Sequence, residues 1–189
     1  MWCCRACSIP CCGKVRISSF RLIALVLLFA CATLAAEPSS RPRIPLHWLW
    51  NEKETDSAYT VNAERRAWLI RERGYVDMGP IAYVHAEQVP NSRALKCFYA
   101  AAPRTNTFCS TSPFEQRLIR SMGYEEIGSE GFVQTVPVTG NTVLYRVSRS
   151  YGDGRDREHR FVTSGDEFLR LRKLGWGYDG SKGYVYGSP

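Results

Sequence analysis

The chain has 189 residues and a mass of 21.4 kDa, which is room for one ordinary domain or two very small ones. Its 44% hydrophobic and 23% charged residues exclude a disordered chain, a collagen and a coiled coil. Of the 25 cationic side chains that produce the net charge of +7, four lie in the first 36 residues, which leaves 21 against 18 acidic ones in the remainder. We therefore expect no nucleic-acid partner, because a broad basic surface is not indicated.

The amino terminus has the layout of an export signal. Residues 22–36 form an apolar run that is short for a membrane span, preceded by basic residues and closed by small ones. We expect cleavage after Ala36 or Ala35 and a secreted or periplasmic product. Lipoprotein processing at Cys31 and retention of the leader are the two alternatives, and either would hold the protein at a membrane. The paired cysteines ahead of the run are more typical of a discarded leader than of a zinc site.

Two cysteines remain after the leader, and they are predicted to form a disulfide. Cys97 and Cys109 lie six residues on either side of Pro103. If the segments around them are the arms of a hairpin, the two side chains face each other across it. An exported chain meets oxidising conditions, and two cysteines allow one intramolecular pairing. Two buried free thiols are the alternative.

An internal repeat of about 49 residues is the most informative feature of the sequence. Each copy contains a glycine–aromatic pair, a second glycine five positions after the first, and an aromatic–valine pair four positions after that. The recurring positions are Leu46, Leu95 and Leu144; Gly74-Tyr75, Gly123-Tyr124 and Gly175-Trp176; Gly79, Gly128 and Gly180; and Tyr83-Val84, Phe132-Val133 and Tyr184-Val185. The repeat predicts a linker over 37–44 and one domain over 45–189, made of copies at 45–92, 93–141 and 142–189.

Each copy is predicted to fold as β-β-α-β-β, with one helix whose ends are readable. Ser112 and Ser164 begin S-x-x-E sequences, in which the serine oxygen and the glutamate satisfy backbone N–H groups at a helix start, and Asn62 is the weaker equivalent. The helix is expected to end at the glycine of the glycine–aromatic pair, in the left-handed conformation. The predicted apolar face of the helices contains Ile70, Ile119 and Leu171, together with Leu69, Leu118 and Leu174.

The predicted fold class is mainly β with short helices, a form of α+β. A copy of about 49 residues is too small to bury its own apolar surface, so the three are expected to share a core. A closed pseudo-threefold arrangement resembling a β-trefoil would remove exposed strand edges, whereas a linear stack is the alternative.

The third copy carries a set of residues that recur in a known family signature: Arg146, His159, Ser164, Glu167, Gly175, Gly180, Tyr184 and Val185. In these residues it resembles domain of unknown function 5648, a bacterial extracellular repeat. The resemblance covers about residues 44–186 in three degenerate copies, and it implies an exported protein with no established catalytic activity. The other copies depart from the signature: Trp48 and Cys97 stand at the arginine position, and Asp56 or Ser57 and Thr107 stand at the histidine position.

Motifs for catalysis or for cofactor binding are absent from the sequence. It contains no G-x-S-x-G, no phosphate-binding glycine loop and no H-E-x-x-H. Asp153, Asp156 and Glu158 suggest calcium, but arginines alternate with them and the ligand spacing is missing. We therefore expect neither a metal nor a cofactor. Glu115 and Glu167 are assigned to helix capping, so that only an unrecognised carboxylate pair would support glycan hydrolysis.

The sequence predicts an exported, non-catalytic binding or adhesion module for a glycan or a cell-envelope component. The predicted ligand-binding residues are Arg146, His159 and Trp176. The third copy alone keeps both the arginine and the histidine. Trp176 is included because aromatic rings stack on sugars. Two other interpretations stay open: Arg146 and His159 pair with strand neighbours inside one hairpin, and Trp176 fills the core. An exported glycan-directed hydrolase is the alternative function.

Overall fold

Two strands, a helix and a longer strand follow one another three times in the computed structural model, which describes residues 41–101, 105–151 and 156–188. The first unit is β1 (Arg43–Asn51), β2 (Asp56–Thr60), α1 (Ala63–Arg73) and β3 (Val76–His85). The second unit is β4 (Ser92–Ala100), β5 (Asn106–Ser110), α2 (Pro113–Ser121) and β6 (Glu125–Gln134). The third unit is β7 (Asn141–Tyr151), β8 (Asp156–Val162), α3 (Gly165–Lys173) and β9 (Gly177–Tyr186).

These residues belong to a compact unit that spans Pro38–Pro189. The first strand begins at Arg43, so it already occupies the last two residues of the predicted linker. Export, cleavage at Ala36 and lipid attachment at Cys31 concern residues outside the described part of the chain. Within that part, no helix is long and apolar enough to cross a membrane.

The strands pair antiparallel, and the predicted class, mainly β with three short helices, is confirmed. The sheet order is β2-β1-β3-β6-β9-β7-β8, and β4 joins β6 and carries β5 at its other edge. In each unit the first strand therefore lies between the second and the third. The three long last strands also meet one another, through single bridges that join β3 to β6, β6 to β9 and β3 to β9.

Each helix is followed by one ten-residue strand, so the prediction of two strands there is wrong. The second glycines, Gly79, Gly128 and Gly180, have φ of 91°, 130° and 92°, which favours glycine. The ladders shift register close to these positions and then continue. A bulge of this kind bends a strand without ending its pairing, so the glycine marks a bend and not a turn between two strands.

The helices begin and end as the local sequence predicts, but the two glutamates do not make the predicted capping hydrogen bonds. Asn62, Ser112 and Ser164 each accept a hydrogen bond from the backbone N–H three residues later, as predicted. The glycines that follow the helices have φ of 71° to 87°, which confirms the left-handed ending. Glu115 and Glu167 do not complete a capping box, because their carboxylates bond to other side chains.

The predicted apolar helix face is right in part. Ile119 and Leu171 are buried, and Leu69 packs against Tyr75. The other three predicted residues, Ile70, Leu118 and Leu174, are 43%, 50% and 55% exposed. The first helix has 11 residues and the other two have nine. Because the first helix is longer, a residue at a given number of positions before the glycine points in a different direction around the helix axis, away from the sheet.

One core cluster contains residues of all three units. The opening leucines and the valines of the aromatic–valine pairs are almost completely inaccessible, and together they form most of this cluster: Leu46, Leu95, Leu144, Val84, Val133 and Val185. Three smaller clusters lie between each helix and the strands of its own unit. The units therefore depend on one another for their central packing.

Candidate functional site

A crevice of about 1120 Å³ lies between the second and third units, and we call it the large crevice. The second unit contributes β4, β5 and α2, and the third contributes β7, β8 and β9. Its charged and polar lining includes Glu115, Arg146, His159 and Asp179, and its aromatic lining includes Tyr99, Phe108 and Tyr124. The structure therefore brings two of the three predicted ligand-binding residues, Arg146 and His159, to one cavity.

Arg146 is held across the boundary between the two units. It lies on β7 and is 3% exposed. Its Nη2 donates to Oε1 of Glu115 at 2.8 Å, and its Nη1 donates to the carbonyl of Cys109 at 2.9 Å. The guanidinium also lies 4.1 Å from the ring centre of Phe108. All three partners belong to the second unit, so the partners are not neighbours in the β7–β8 hairpin.

His159 is connected to Arg146 through Asp179, which lies on β9. Nδ1 of His159 is 3.0 Å from Oδ2 of Asp179, and Ser148 donates to Oδ1 at 2.9 Å. The Nε atom of Arg146 lies 3.5 Å from the same Oδ2. A carboxylate only accepts, so Nδ1 carries the proton and Nε2 of the neutral ring is an acceptor.

Glu115 also binds Lys182, a buried residue of β9 that is not part of the crevice lining. The Nζ atom of Lys182 is 2.9 Å from both carboxylate oxygens of Glu115. Burial alone would raise the pKa of Glu115, but Arg146, Ser110 and Lys182 together hold it below its usual value. Glu115 is therefore ionised at neutral pH.

Asp179 and His159 are also each held in one protonation state at neutral pH. Burial would raise the pKa of Asp179, but the hydrogen bond from His159 and the charge of Arg146 hold it well below its usual value. Burial lowers the pKa of His159, against the opposite effect of Asp179. At neutral pH the carboxylate is charged and the imidazole is neutral.

Asn106 lines the same cavity and has one unpartnered polar atom. Its Nδ2 donates to the hydroxyl of Tyr124 at 2.9 Å. Its Oδ1 is buried, and no described residue donates to it. An unpartnered buried carbonyl costs about 1–3 kcal/mol, but the surrounding residues cover this oxygen, so it does not reach a ligand in the crevice.

Trp176, the third predicted ligand-binding residue, does not line the large crevice. It is 4% exposed and packs with Val147, Val162 and Leu171. The guanidinium of Arg160 lies 4.8 Å from its ring centre. This placement agrees with the interpretation that aromatic residues recurring in the repeat fill the core.

The disulfide between Cys97 and Cys109 is present. The two residues are direct partners in the β4–β5 ladder, with 4.0 Å between their Cα atoms. Because the carbonyl of Cys109 accepts from Arg146, the bridge lies beside the large crevice.

Glu158, considered above as part of a calcium loop, is a buried residue of β8. Its carboxylate accepts from Ser57 at 3.0 Å, from Tyr151 at 2.9 Å and from Arg160 at 2.7 Å. Among the described residues, no group of three or more histidine, cysteine or acidic side chains could hold a metal ion.

Sequence analysis missed Glu115, Asp179, Lys182 and Asn106 as site residues. One signal was available, because the residue two positions after the second glycine is Ile81, Glu130 and Lys182 in the three units. The inward position of a strand is normally apolar, so a charge there indicates a partner on a neighbouring element. Glu130 forms an ion pair with Arg65, and Lys182 forms one with Glu115.

Comparison with known families now adds to this geometry. Domain of unknown function 5648 matches residues 30–134 and again residues 105–188, and the two overlapping matches together cover most of the chain. The chain belongs to this family. Neither a curated protein nor a solved structure matches it. The description of domain of unknown function 5648 names no activity.

Proposed function

We propose that the protein is an exported, non-catalytic binding module whose ligand is a glycan or another hydroxyl-rich component of the cell envelope. The observation that carries the proposal is the large crevice, which combines buried, fixed polar groups with aromatic walls. Ligand pockets commonly have this composition, with a few oriented polar groups among apolar ones.

The polar groups of the crevice suit a ligand that both donates and accepts hydrogen bonds. Nε2 of His159 is an acceptor, and the exposed Arg157 at the same crevice is a donor. Sugar hydroxyls meet both kinds of group. Tyr99 and Tyr124 provide flat faces against which the apolar side of a sugar ring stacks.

Hydrolysis is the second candidate, because Glu115 and Asp179 place two carboxylates in one crevice. A glycosidase needs one of its two carboxyl groups protonated so that it can act as general acid. The pKa values of Glu115 and Asp179 both lie below their usual ranges, because cations and donors surround the two carboxylates. This pair therefore favours binding over acid catalysis.

We further propose that the three units are repeats of one family motif, arranged around a closed pseudo-threefold axis. The pairing of β3, β6 and β9 with one another supports this arrangement. So does a recurrent link between units: the third residue after the helix N-cap pairs with the residue two positions after the next second glycine. Arg65 binds Glu130 in this way, and Glu115 binds Lys182 with the charges reversed.

A glycan array, run together with hydrolysis assays on peptidoglycan and polysaccharides, tests the binding function. Leu118 lines the large crevice and is 50% exposed, so Leu118→Glu should block the crevice without unfolding the chain. Leu169→Glu is the matched control, because Leu169 is 56% exposed on α3 and lines neither crevice described below. We expect the first variant to lose ligand retention and the second to keep it. Turnover of a glycan, or equal retention by both variants, contradicts the proposal.

Export is tested separately by the intact mass of the protein recovered from the producing cell. We expect a chain that begins after Ala36 or Ala35. Recovery of the form that still carries Met1 from the cytosol contradicts export, and a lipid on Cys31 would replace cleavage at Ala36 by lipoprotein processing.

A further inference from the structure

A second crevice, of about 370 Å³, lies between the first and second units, and we call it the small crevice. Its lining is mainly aromatic and aliphatic and includes Ala58, Trp68, Leu69, Tyr75 and Tyr99. It differs from the large crevice in having almost no polar group at its floor.

The two crevices occupy corresponding places in successive units. Leu69 and Tyr75 of the small crevice correspond to Ile119 and Tyr124 of the large one, since in both units the aromatic N–H donates to the carbonyl of that aliphatic residue. The ladder positions also correspond: Ala58 lies opposite Leu49, Phe108 opposite Phe98, and Arg160 opposite Val147.

In the third unit the side chain of Arg160 itself fills the corresponding space. Its guanidinium lies 4.8 Å from the ring centre of Trp176 and 5.0 Å and 5.5 Å from those of Trp48 and Trp50. Glu158 neutralises it at 2.7 Å. The fold therefore accommodates a planar group among aromatic rings at this position. In the small crevice the corresponding side chain is the methyl group of Ala58, so the space is left open.

The charge at the mouth of the small crevice selects for an anion. The guanidinium of Arg73 lies 5.3 Å from the ring centre of Tyr99 and 5.7 Å from that of Trp68, and it donates to the Tyr99 hydroxyl. It forms no ion pair with any described residue, whereas the other arginine of the lining, Arg65, is paired with Glu130. Glu64 also lines the crevice, but nine residues of helix, about 13 Å, separate it from Arg73.

We propose that the small crevice is a second binding site, for a planar aromatic group that carries a carboxylate. The ring lies among Trp68, Tyr75 and Tyr99, and the carboxylate pairs with Arg73. The guanidinium is already oriented by Tyr99, so it binds a carboxylate with little loss of side-chain freedom. This site takes a ligand of different chemistry from the one proposed for the large crevice, although Tyr99 lines both crevices.

Indole-3-acetate and its neutral amide, indole-3-acetamide, are suitable probes. They share the same ring, and only the acetate carries the negative charge that would pair with Arg73. Titrations of the full chain are followed by NMR on the Trp68 indole and the Leu69 methyl groups. We expect saturable binding of the acetate, at least tenfold tighter than that of the amide. Absence of saturable binding, or equal affinities for the two probes, overturns the proposal.

Four variants locate the site. Arg73→Leu should remove the preference for the acetate, whereas Arg71→Leu, at an exposed arginine that pairs with Glu72 and lies outside the crevice, should leave it unchanged. Ala58→Phe introduces the side chain that the second unit carries at the same ladder position, and it should fill the space and abolish binding of both probes. If this variant fails to fold, the arginine pair decides alone, and an unchanged preference in Arg73→Leu refutes the site. Leu118→Glu should keep the binding, which separates failure here from failure at the large crevice.

Discussion

Arg146 and Lys182 face Glu115 and Asp179 in or beside the lining of the large crevice, so two buried positive charges are balanced by two negative ones. Neither cation has water to stabilise it, because both side chains are about 95% buried. Their charge is tolerated only because the carboxylates are present. The same contacts keep the carboxylates ionised, so this group stabilises the boundary between units and simultaneously fixes the polarity of the crevice.

The free energy of unfolding should decrease as the pH falls, in two windows. The pKa of His159 is lowered by burial in the folded protein, so the unfolded chain takes up the proton first, below about pH 6.5. The pKa values of Glu115 and Asp179 are also lowered by folding, so their contribution is present above about pH 4.5 and is lost below it. Urea unfolding at pH 7.5, 5.5 and 3.5 measures this. The variant His159→Gln should have a smaller loss between pH 7.5 and 5.5 and keep the loss at pH 3.5; an identical profile in both proteins would refute the assignment.

Glu115 and Glu167 hold the same position after their helix N-caps, so they form a matched pair for mutation. Glu115→Gln leaves Arg146 and Lys182 with half their compensating charge, and breaking a buried ion pair costs about 3–5 kcal/mol. Glu167 pairs with Arg170 on the surface of α3, where such a pair contributes about 0–1 kcal/mol. Urea unfolding at pH 7.5 should therefore show a loss of several kcal/mol for Glu115→Gln and less than about 1 kcal/mol for Glu167→Gln. Equal losses would contradict the role of Glu115 at the unit boundary.

At the scale of elements, the first hairpin of each unit has the same strand pairing, but a different pair of residues lies at one equivalent position. Cys97 lies opposite Cys109 in the second unit, Trp48 opposite Tyr59 in the first, and Arg146 opposite Phe161 in the third. Two of the three hairpins therefore form without a covalent link. The disulfide adds stability to a hairpin that the fold already specifies.

Reduction of the disulfide should lower the melting temperature without abolishing the fold. The bridge joins residues separated by 12 positions, and closing a loop of this size stabilises by about 3 kcal/mol when the effect is attributed to the unfolded chain. Circular dichroism melts with and without a reductant measure the change, and a Cys97→Ala/Cys109→Ala variant should melt near the reduced protein and be insensitive to the reductant. Complete unfolding on reduction would contradict this expectation.

Elements with local signals were predictable from the sequence, and contacts between units were not. The helix caps at Ser112 and Ser164 depend on residues three positions apart, and the repeat frame located the first two strands of each unit. The pairing of Glu115 with Lys182 joins residues 67 positions apart, so the charge at position 182 could indicate a partner but not which residue it is. For the same reason Asp179, which connects Arg146 to His159, was not recognised as part of the candidate site.

At the scale of the whole molecule, all three units contribute residues to the central core. Leu46, Leu95 and Leu144 are inaccessible to solvent and belong to one cluster. Burying a leucine contributes about 1.5–3 kcal/mol relative to exposure, so a single unit gains little before the other two are in place. A shared core of this kind couples the unfolding of the three units.

Unfolding should consequently be a single cooperative transition, and loss of one unit should prevent folding. In a calorimetric scan of residues 37–189, the calorimetric enthalpy should equal the van't Hoff enthalpy. A chain of residues 37–141, which lacks β7, β8, α3 and β9, exposes the inner faces of β3 and β6 and leaves Glu115 without Arg146 and Lys182. Its amide resonances should be poorly dispersed in an NMR spectrum, in contrast to those of the three-unit chain. A well-dispersed spectrum of the two-unit chain, or two resolved calorimetric transitions in the full one, would show that the units are stable separately.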